Sequence, residues 1–215
     1  MITEVGAWNK QLSTAEVEEL YNDGKVLDAL THSAVANLKG YWRNNGLATW
    51  KDLVQSNNGA PTSTCSETML ITAGVDGSRD SQGFLMNRQR TTNSLNLFTN
   101  YIADGIGSGE RAVVPGRIAL GTGDFTVCFW AYKYEDWTNQ WVIGQFVDDN
   151  NRWYIRGSDA SAARLQLYVK SGGNTVVDGL DDTTLLDSYL ETWIHVTCVV
   201  DRSTDVKWYF NGSHI

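Results

Sequence analysis

Apolar and polar positions alternate along Ile2–Trp8, ITEVGAW, with the period of two that marks a half-buried strand. The period then lengthens. Ser13-Thr14-Ala15-Glu16 has the form of a capping box, in which the Ser13 hydroxyl caps a new helix and Glu16 reaches back to the Ser13 amide. Val17, Leu20 and Tyr21 follow at helical spacing, and Gly24 is placed to end the helix as its C-terminal cap. Lys25–Asn37 carries little apolar pattern and reads as a connector. A fresh strand starts at Leu38 and runs through Tyr41 and Trp42 to an Asn44-Asn45-Gly46 turn, and a second turn follows at Asn57-Asn58-Gly59.

Met69–Gly109 mixes turn residues with short apolar pieces and includes the polar loop Asp76–Gly83. Beyond it the strand pattern strengthens. Strands are predicted near Ala112–Val114, Phe125–Tyr132, Trp141–Phe146, Arg152–Arg156, Arg164–Val169, Thr175–Val177, Thr192–Asp201 and Val206–Phe210. Short strands at roughly 8–12-residue spacing with polar turns between them specify a sandwich. Phe125, Val127 and Phe129 fall on one face of their strand and Cys128 and Trp130 on the other, the pattern of a strand covered on both sides. Asn211-Gly212 is a hairpin signal, since both residues tolerate positive φ. With Ser213 it also forms an N-x-S sequon, and the turn is the preferred reading.

Several of these segments resemble one family. GDFTVCFW (Gly123–Trp130) and ETWIHVTCVVDRSTDVKWYFNG (Glu191–Gly212) are similar to the middle strands of laminin-G-like, concanavalin A-type jelly rolls of the laminin-G/pentraxin superfamily. LKGYW at Leu38–Trp42 resembles the family's opening strand, and Ile2–Gly24 resembles its closing strand and helix. The resemblance implies an all-β fold, a two-sheet antiparallel jelly-roll sandwich with one short N-terminal helix. In that reading residues 1–27 are the closing strand and helix of a preceding copy, 28–37 are a linker, and 38–215 are a C-terminally truncated laminin-G-like domain. Tandem copies in a longer parent protein are expected. A sheet edge left open would be costly, so Ile2–Trp8 is expected to dock into the downstream sheet.

Composition narrows the partners. Seventeen basic against twenty-five acidic residues give a net charge of −8, which disfavours a nucleic-acid partner, because phosphate binding needs a concentrated basic face. No apolar run approaches the roughly 20 residues of a membrane span, so no membrane insertion is expected. No signal peptide is visible at Met1. Cys65, Cys128 and Cys198 are widely spaced and form no C-x-x-C motif. Cys128 and Cys198 read as small buried hydrophobes, with a bridge between them as the alternative.

Catalytic chemistry is not indicated. Some jelly-roll relatives are glycoside hydrolases, yet their carboxylate pattern E-x-D-x-x-E or E-x-D-x-E is missing here. The pairs Glu135-Asp136 and Asp181-Asp182 are neighbours that point to opposite faces if extended. His32, His195 and His214 show no metal spacing and no nucleophile partner, and His195 reads as a buried structural residue. Gly105, Gly107 and Gly109 fit neither a dinucleotide nor a phosphate loop.

Binding is the better expectation. Calcium occurs in the superfamily, and three loops are rich in oxygen: Asp76–Asp80, Asp148–Asn151 and Asp178–Asp182. Asp148, Asp149 and Asn151 are the best candidate ligands, against the plainer reading of Asp and Asn as turn residues. For sugar, an aromatic platform beside amides and carboxylates is needed. Tyr134, Trp137, Asn139, Asp148, Asp149, Asn150 and Arg152 supply those groups, with Trp137 the leading contact. Trp141 and Trp153 are expected in the sandwich core. The expected function is a non-catalytic recognition module for carbohydrate or glycoprotein in an extracellular or virion-surface protein. The alternative is a structural or adhesive module of a phage, viral or bacterial surface protein without a sugar site. A glycoside hydrolase relative comes third.

Overall fold

A computed structural model of the chain describes residues 2–42, 51–61, 70–73, 92–95, 112–113, 118, 120–132, 141–157, 164–180 and 188–215. In chain order it contains β1 (Ile2–Trp8), α1 (Thr14–Tyr21), β2 (Leu38–Trp42), β3 (Ala60–Pro61), β4 (Leu70–Ala73), β5 (Thr92–Leu95) and β6 (Ala112–Val113). There follow β7 (Phe125–Tyr132), β8 (Trp141–Asp148), β9 (Asn151–Gly157), β10 (Leu165–Ser171), β11 (Asn174–Leu180), β12 (Trp193–Asp201), β13 (Asp205–Phe210) and β14 (Ser213–His214).

The strands form two antiparallel sheets, the two-layer arrangement of a jelly-roll sandwich. The eight-stranded sheet runs β14-β13-β12-β7-β1-β5-β4, with β2 also paired to β1. The four-stranded sheet runs β11-β10-β9-β8, and β3 and β6 make a separate small pair. Between the sheets lies the main core. Phe125, Val127 and Phe129 of β7 and Ile194, Val196 and Val200 of β12 meet Trp153 and Ile155 of β9 and Leu165 and Leu167 of β10. Burial of this apolar surface is what holds the layers together.

β1 occupies a central position. It pairs with β7 on one side, where Gly6, Ala7 and Trp8 oppose Cys128, Val127 and Thr126, and with β2 and β5 on the other. The half-buried strand anticipated from ITEVGAW is instead buried along its whole length. A bulge explains how it fills both faces. The register to β7 shifts between Thr3 and Gly6, and Glu4 there adopts φ 52°. One extra residue reverses the parity, so Ile2 as well as Val5 and Ala7 reach the inner core. Trp8 goes to the opposite face, and the buried Glu4 carboxylate accepts a hydrogen bond from the Tyr41 hydroxyl.

A second core lies on the outer face of the large sheet. Trp8, Cys128, Val199 and Tyr209 from the sheet meet Leu12, Val17 and Leu20 around α1. The capping box forms as read from the sequence: Glu16 N–H donates to the Ser13 hydroxyl at 3.3 Å and Ser13 N–H donates to the Glu16 carboxylate at 2.8 Å. The helix ends earlier than Gly24 suggests. Asn22 takes the left-handed cap conformation (φ 49°, ψ 49°), and Asp23 and Gly24 also have positive φ, so three consecutive residues make the stop. The segment 25–37 then folds into short 3-10 turns that add Ala29 and Ala34 to the outer core. Inside it His32 is fully committed. Its Nδ1 accepts from the Ala34 amide at 3.1 Å, which leaves Nε2–H to donate to the Glu16 carbonyl at 3.0 Å.

The hairpin at the β13–β14 junction is the turn expected from Asn-Gly, with Asn211 at φ 50° and Gly212 at φ 77°. Asn211 is held twice to His195, its amide donating to the His195 carbonyl at 2.8 Å and its Oδ1 accepting from the His195 amide at 2.9 Å.

Cys128 and Cys198 are free and buried. Their strands are neighbours, but Cys128 is the register partner of Thr197 and Cys198 of Val127. An offset of one residue sends the two thiols to opposite faces, Cys198 to the inner core and Cys128 to the outer one, so no bridge can form. Cys65 lies outside the described residues.

Candidate functional site

The acidic loop singled out by sequence is the tip of the β8–β9 hairpin. Asp148 Oδ1 accepts from the Asn150 amide at 2.8 Å, and Asn151 Nδ2 donates to Asp148 Oδ1 and Oδ2 at 3.1 and 3.2 Å. The tip is also tied to the neighbouring β10–β11 turn. Gly172 N–H donates to Asn151 Oδ1 at 3.0 Å and Gly173 N–H to the Asn150 carbonyl at 3.0 Å. Thus Asp148 and Asn151, two of the three candidate calcium ligands, spend their oxygens closing and bracing turns. The third, Asp149, is 84% exposed at its side chain and lies 3.4 Å from Arg152 Nη1. Among the described residues no group of three or more His, Cys, Asp or Glu side chains is arranged to hold a metal ion.

Arg152 connects this tip to a larger surface. Trp153 and Ile155 of β9 and Leu165, Leu167 and Val169 of β10 face the core, so alternation sends Arg152, Tyr154, Arg156, Gln166, Tyr168 and Lys170 to the outer face of the four-stranded sheet. Register aligns them in rows: Arg156 opposite Gln166, Tyr154 opposite Tyr168, and Arg152 opposite Lys170. Tyr154 and Tyr168 stack with ring centroids 5.1 Å apart and planes 19° apart. The Arg156 guanidinium lies over Tyr154 at 5.6 Å and the Arg152 guanidinium over Tyr168 at 5.9 Å. Cation, ring, ring and cation therefore form one continuous series.

Hydrogen bonds fix its members. Arg156 Nε donates to Gln166 Oε1 at 2.9 Å, and the Tyr168 and Thr175 hydroxyls are 3.0 Å apart. Tyr154 is buried and forms the floor, whereas Tyr168, Arg152, Arg156, Gln166 and Lys170 are half-buried and reach solvent. Arg152 Nε is shielded from solvent and has no hydrogen-bond partner among the described residues. The face thus offers the solvent-facing edge of Tyr168, two planar guanidinium groups and an amide.

Of the sequence-predicted site residues, the structure brings Asp148, Asp149, Asn150 and Arg152 together at one hairpin. Tyr134, Trp137 and Asn139 lie outside the described residues, as do Glu135, Asp136, Asp181, Asp182, the Asp76–Asp80 loop and the Gly105–Gly109 loop. Sequence reasoning passed over Tyr154, Arg156, Gln166 and Tyr168. Their signal was present in NRWYIRG and LQLYVKS, where every second residue is apolar and the intervening ones are Arg, Tyr, Gln and Lys. Trp153 packs in the core as expected, its Nε1–H donating to Gln145 Oε1 at 3.2 Å.

His195 takes no part in this surface. It is buried on the far side of the large sheet, between Trp130 at 5.1 Å and Tyr21 at 6.2 Å, ring centroid to ring centroid. Burial lowers its pKa to about 3, so the ring is neutral at physiological pH and packs as an aromatic group.

Fold and sequence converge on one class of protein, the β-sandwich of lectins and glucanases. Residues 106–215, about half of the chain, match the family model of the concanavalin A-like lectin/glucanases superfamily, and the chain belongs to that superfamily. No curated protein and no solved structure matches it. No helix among the described residues is long and apolar enough to cross a membrane.

Proposed function

We propose that the protein is a non-catalytic recognition module that binds carbohydrate, free or on a glycoprotein, through the outer face of the four-stranded sheet. The observation that carries this reading is the series Arg156–Tyr154–Tyr168–Arg152, with Gln166 hydrogen-bonded into it. Sugar recognition combines aromatic surface with amides and guanidinium groups for the hydroxyls. Those groups stand together on rigid strands, which lowers the entropic cost of binding. The β8–β9 tip, with Asp148, Asp149 and Asn150, borders the face at its Arg152 end. Tyr134, Trp137 and Asn139 are proposed as further ligand contacts. Membership of a superfamily with many binding modules supports the reading, and it favours placement in a longer extracellular or virion-surface protein with tandem copies.

A glycan array probed with the purified chain tests it. Binding that is lost in Tyr168→Ala, with melting temperature unchanged, is the expected result. A silent array would favour the structural or adhesive alternative, and hydrolysis of a β-glucan would overturn both.

A further inference from the structure

Resting on that reading, we infer that the ligand is an acidic saccharide, with a carboxylate or sulfate held by the guanidinium groups of Arg152 and Arg156. Charge placement is the first argument. The chain is acidic overall, at −8, yet three cations share this one face: Arg152, Arg156 and Lys170. Against them stands Asp149 at the rim. The Asp149–Arg152 contact is long, at 3.4 Å, and exposed. Such an exposed pair contributes little, so a better-placed anion displaces it readily.

Geometry is the second argument. A guanidinium lying over a tyrosine ring keeps its N–H edge in the plane and directed away from the ring stack. That edge matches the paired oxygens of a carboxylate or sulfate in a bidentate contact. Arg152 and Arg156 bracket the stacked tyrosines, so two acidic groups of one saccharide can be held at the two ends of the series. A nucleic acid also offers regularly spaced anions, so single-stranded DNA serves as the competing probe.

The test is a binding titration of the full chain against four probes: a neutral glucan, a uronic-acid polymer, a sulfated polysaccharide and single-stranded DNA. The inference expects the uronate or the sulfated polymer to bind at least about tenfold more tightly than the neutral glucan, with affinity falling as salt rises. Which of the two wins identifies the acidic group. Arg152→Gln and Arg156→Gln should each weaken acidic-polymer binding about tenfold or more, and Arg→Lys should restore only part, because an ammonium cannot make the bidentate contact. Melting temperatures verify that the variants fold, and where a Gln variant fails to fold, the corresponding Lys variant carries the test. Equal binding of neutral and acidic polymers, unmoved by the Arg variants, would overturn the acidic assignment and leave the carbohydrate reading standing. Silence toward every saccharide would overturn both. DNA binding as tight as that of the acidic polymers would also overturn the inference.

Discussion

The hydroxyl of Thr126, in the middle of the large sheet, is hydrogen-bonded to Leu12, 114 residues away: the Leu12 amide donates to Thr126 Oγ1 at 3.0 Å. The same hydroxyl donates to the Lys10 carbonyl at 2.8 Å. One β7 side chain therefore satisfies both main-chain groups of the bend between β1 and α1. Thr126→Val keeps the shape and removes both bonds. It should cost about 2 kcal/mol, from the desolvated groups left behind, and lower Tm by about 4–8 °C. Thr126→Ser should recover most of that loss. Equal melting of Val and Thr forms would show that the bend is not fastened to β7.

Gly212 lies against the last residue of α1. Its φ is +77°, and a Cβ there would lie 3.0–3.3 Å from Tyr21 at the end of α1. Gly212→Ala should destabilise the protein by about 1–2 kcal/mol, through positive φ and crowding together. Tyr21→Ala removes the ring atoms that crowd this position, together with their packing against Trp130 and His195, and leaves the positive φ in place. A double-mutant cycle should therefore show the two changes to be less than additive.

His195 sets a direction for acid stability. Its folded pKa is depressed to about 3 by burial, against roughly 6.5 in an unfolded chain. The unfolded state thus binds the extra proton first. Stability from this group is complete above about pH 6.5 and is lost as pH falls toward 3, with a slope of up to about 1.4 kcal/mol per pH unit. Asp201 adds a smaller window lower down. Hydrogen bonds from Ser203 and Thr204 hold its pKa at about 2, so its contribution is present above the ordinary carboxylate range and lost as pH falls toward 2. Urea denaturation between pH 7 and 3 checks the first window. His195→Phe should flatten the slope there, and an unchanged slope would reject the assignment.

Neither described thiol should react in the folded protein. Burial pushes the Cys128 thiol up to about 12 and raises Cys198 well above its ordinary value. In a Cys65→Ser background, iodoacetamide should leave the native chain unlabelled and modify two cysteines after unfolding. Mass spectrometry reads the outcome, and rapid native labelling would contradict the buried placement.

Local physics made much of this protein readable in its sequence. Two-residue alternation marked β7, β9, β10, β12 and β13. Ser13 and Glu16 announced the helix start, and Asn211-Gly212 announced the hairpin, because those features depend on residues a few positions apart. The candidate site was only half legible. Asp148–Arg152 stood out by composition, but Tyr154 and Tyr168 became a platform only when register set them opposite one another.

Tertiary structure alone decided three things. The β1 bulge at Glu4, which brings Ile2 and Val5 to the same core, follows from pairing with β7 rather than from the ITEVGAW pattern. The one-residue offset that parts Cys128 from Cys198 is a property of strand register. Finally, Arg152 and Arg156 were brought into one series through β10, from which Tyr168 stacks on Tyr154 between them. Sequence fixes what each strand can bury, because side-chain direction alternates locally. Which polar residues then meet on the opposite face depends on long-range pairing, and that is set by the packing of the whole sandwich.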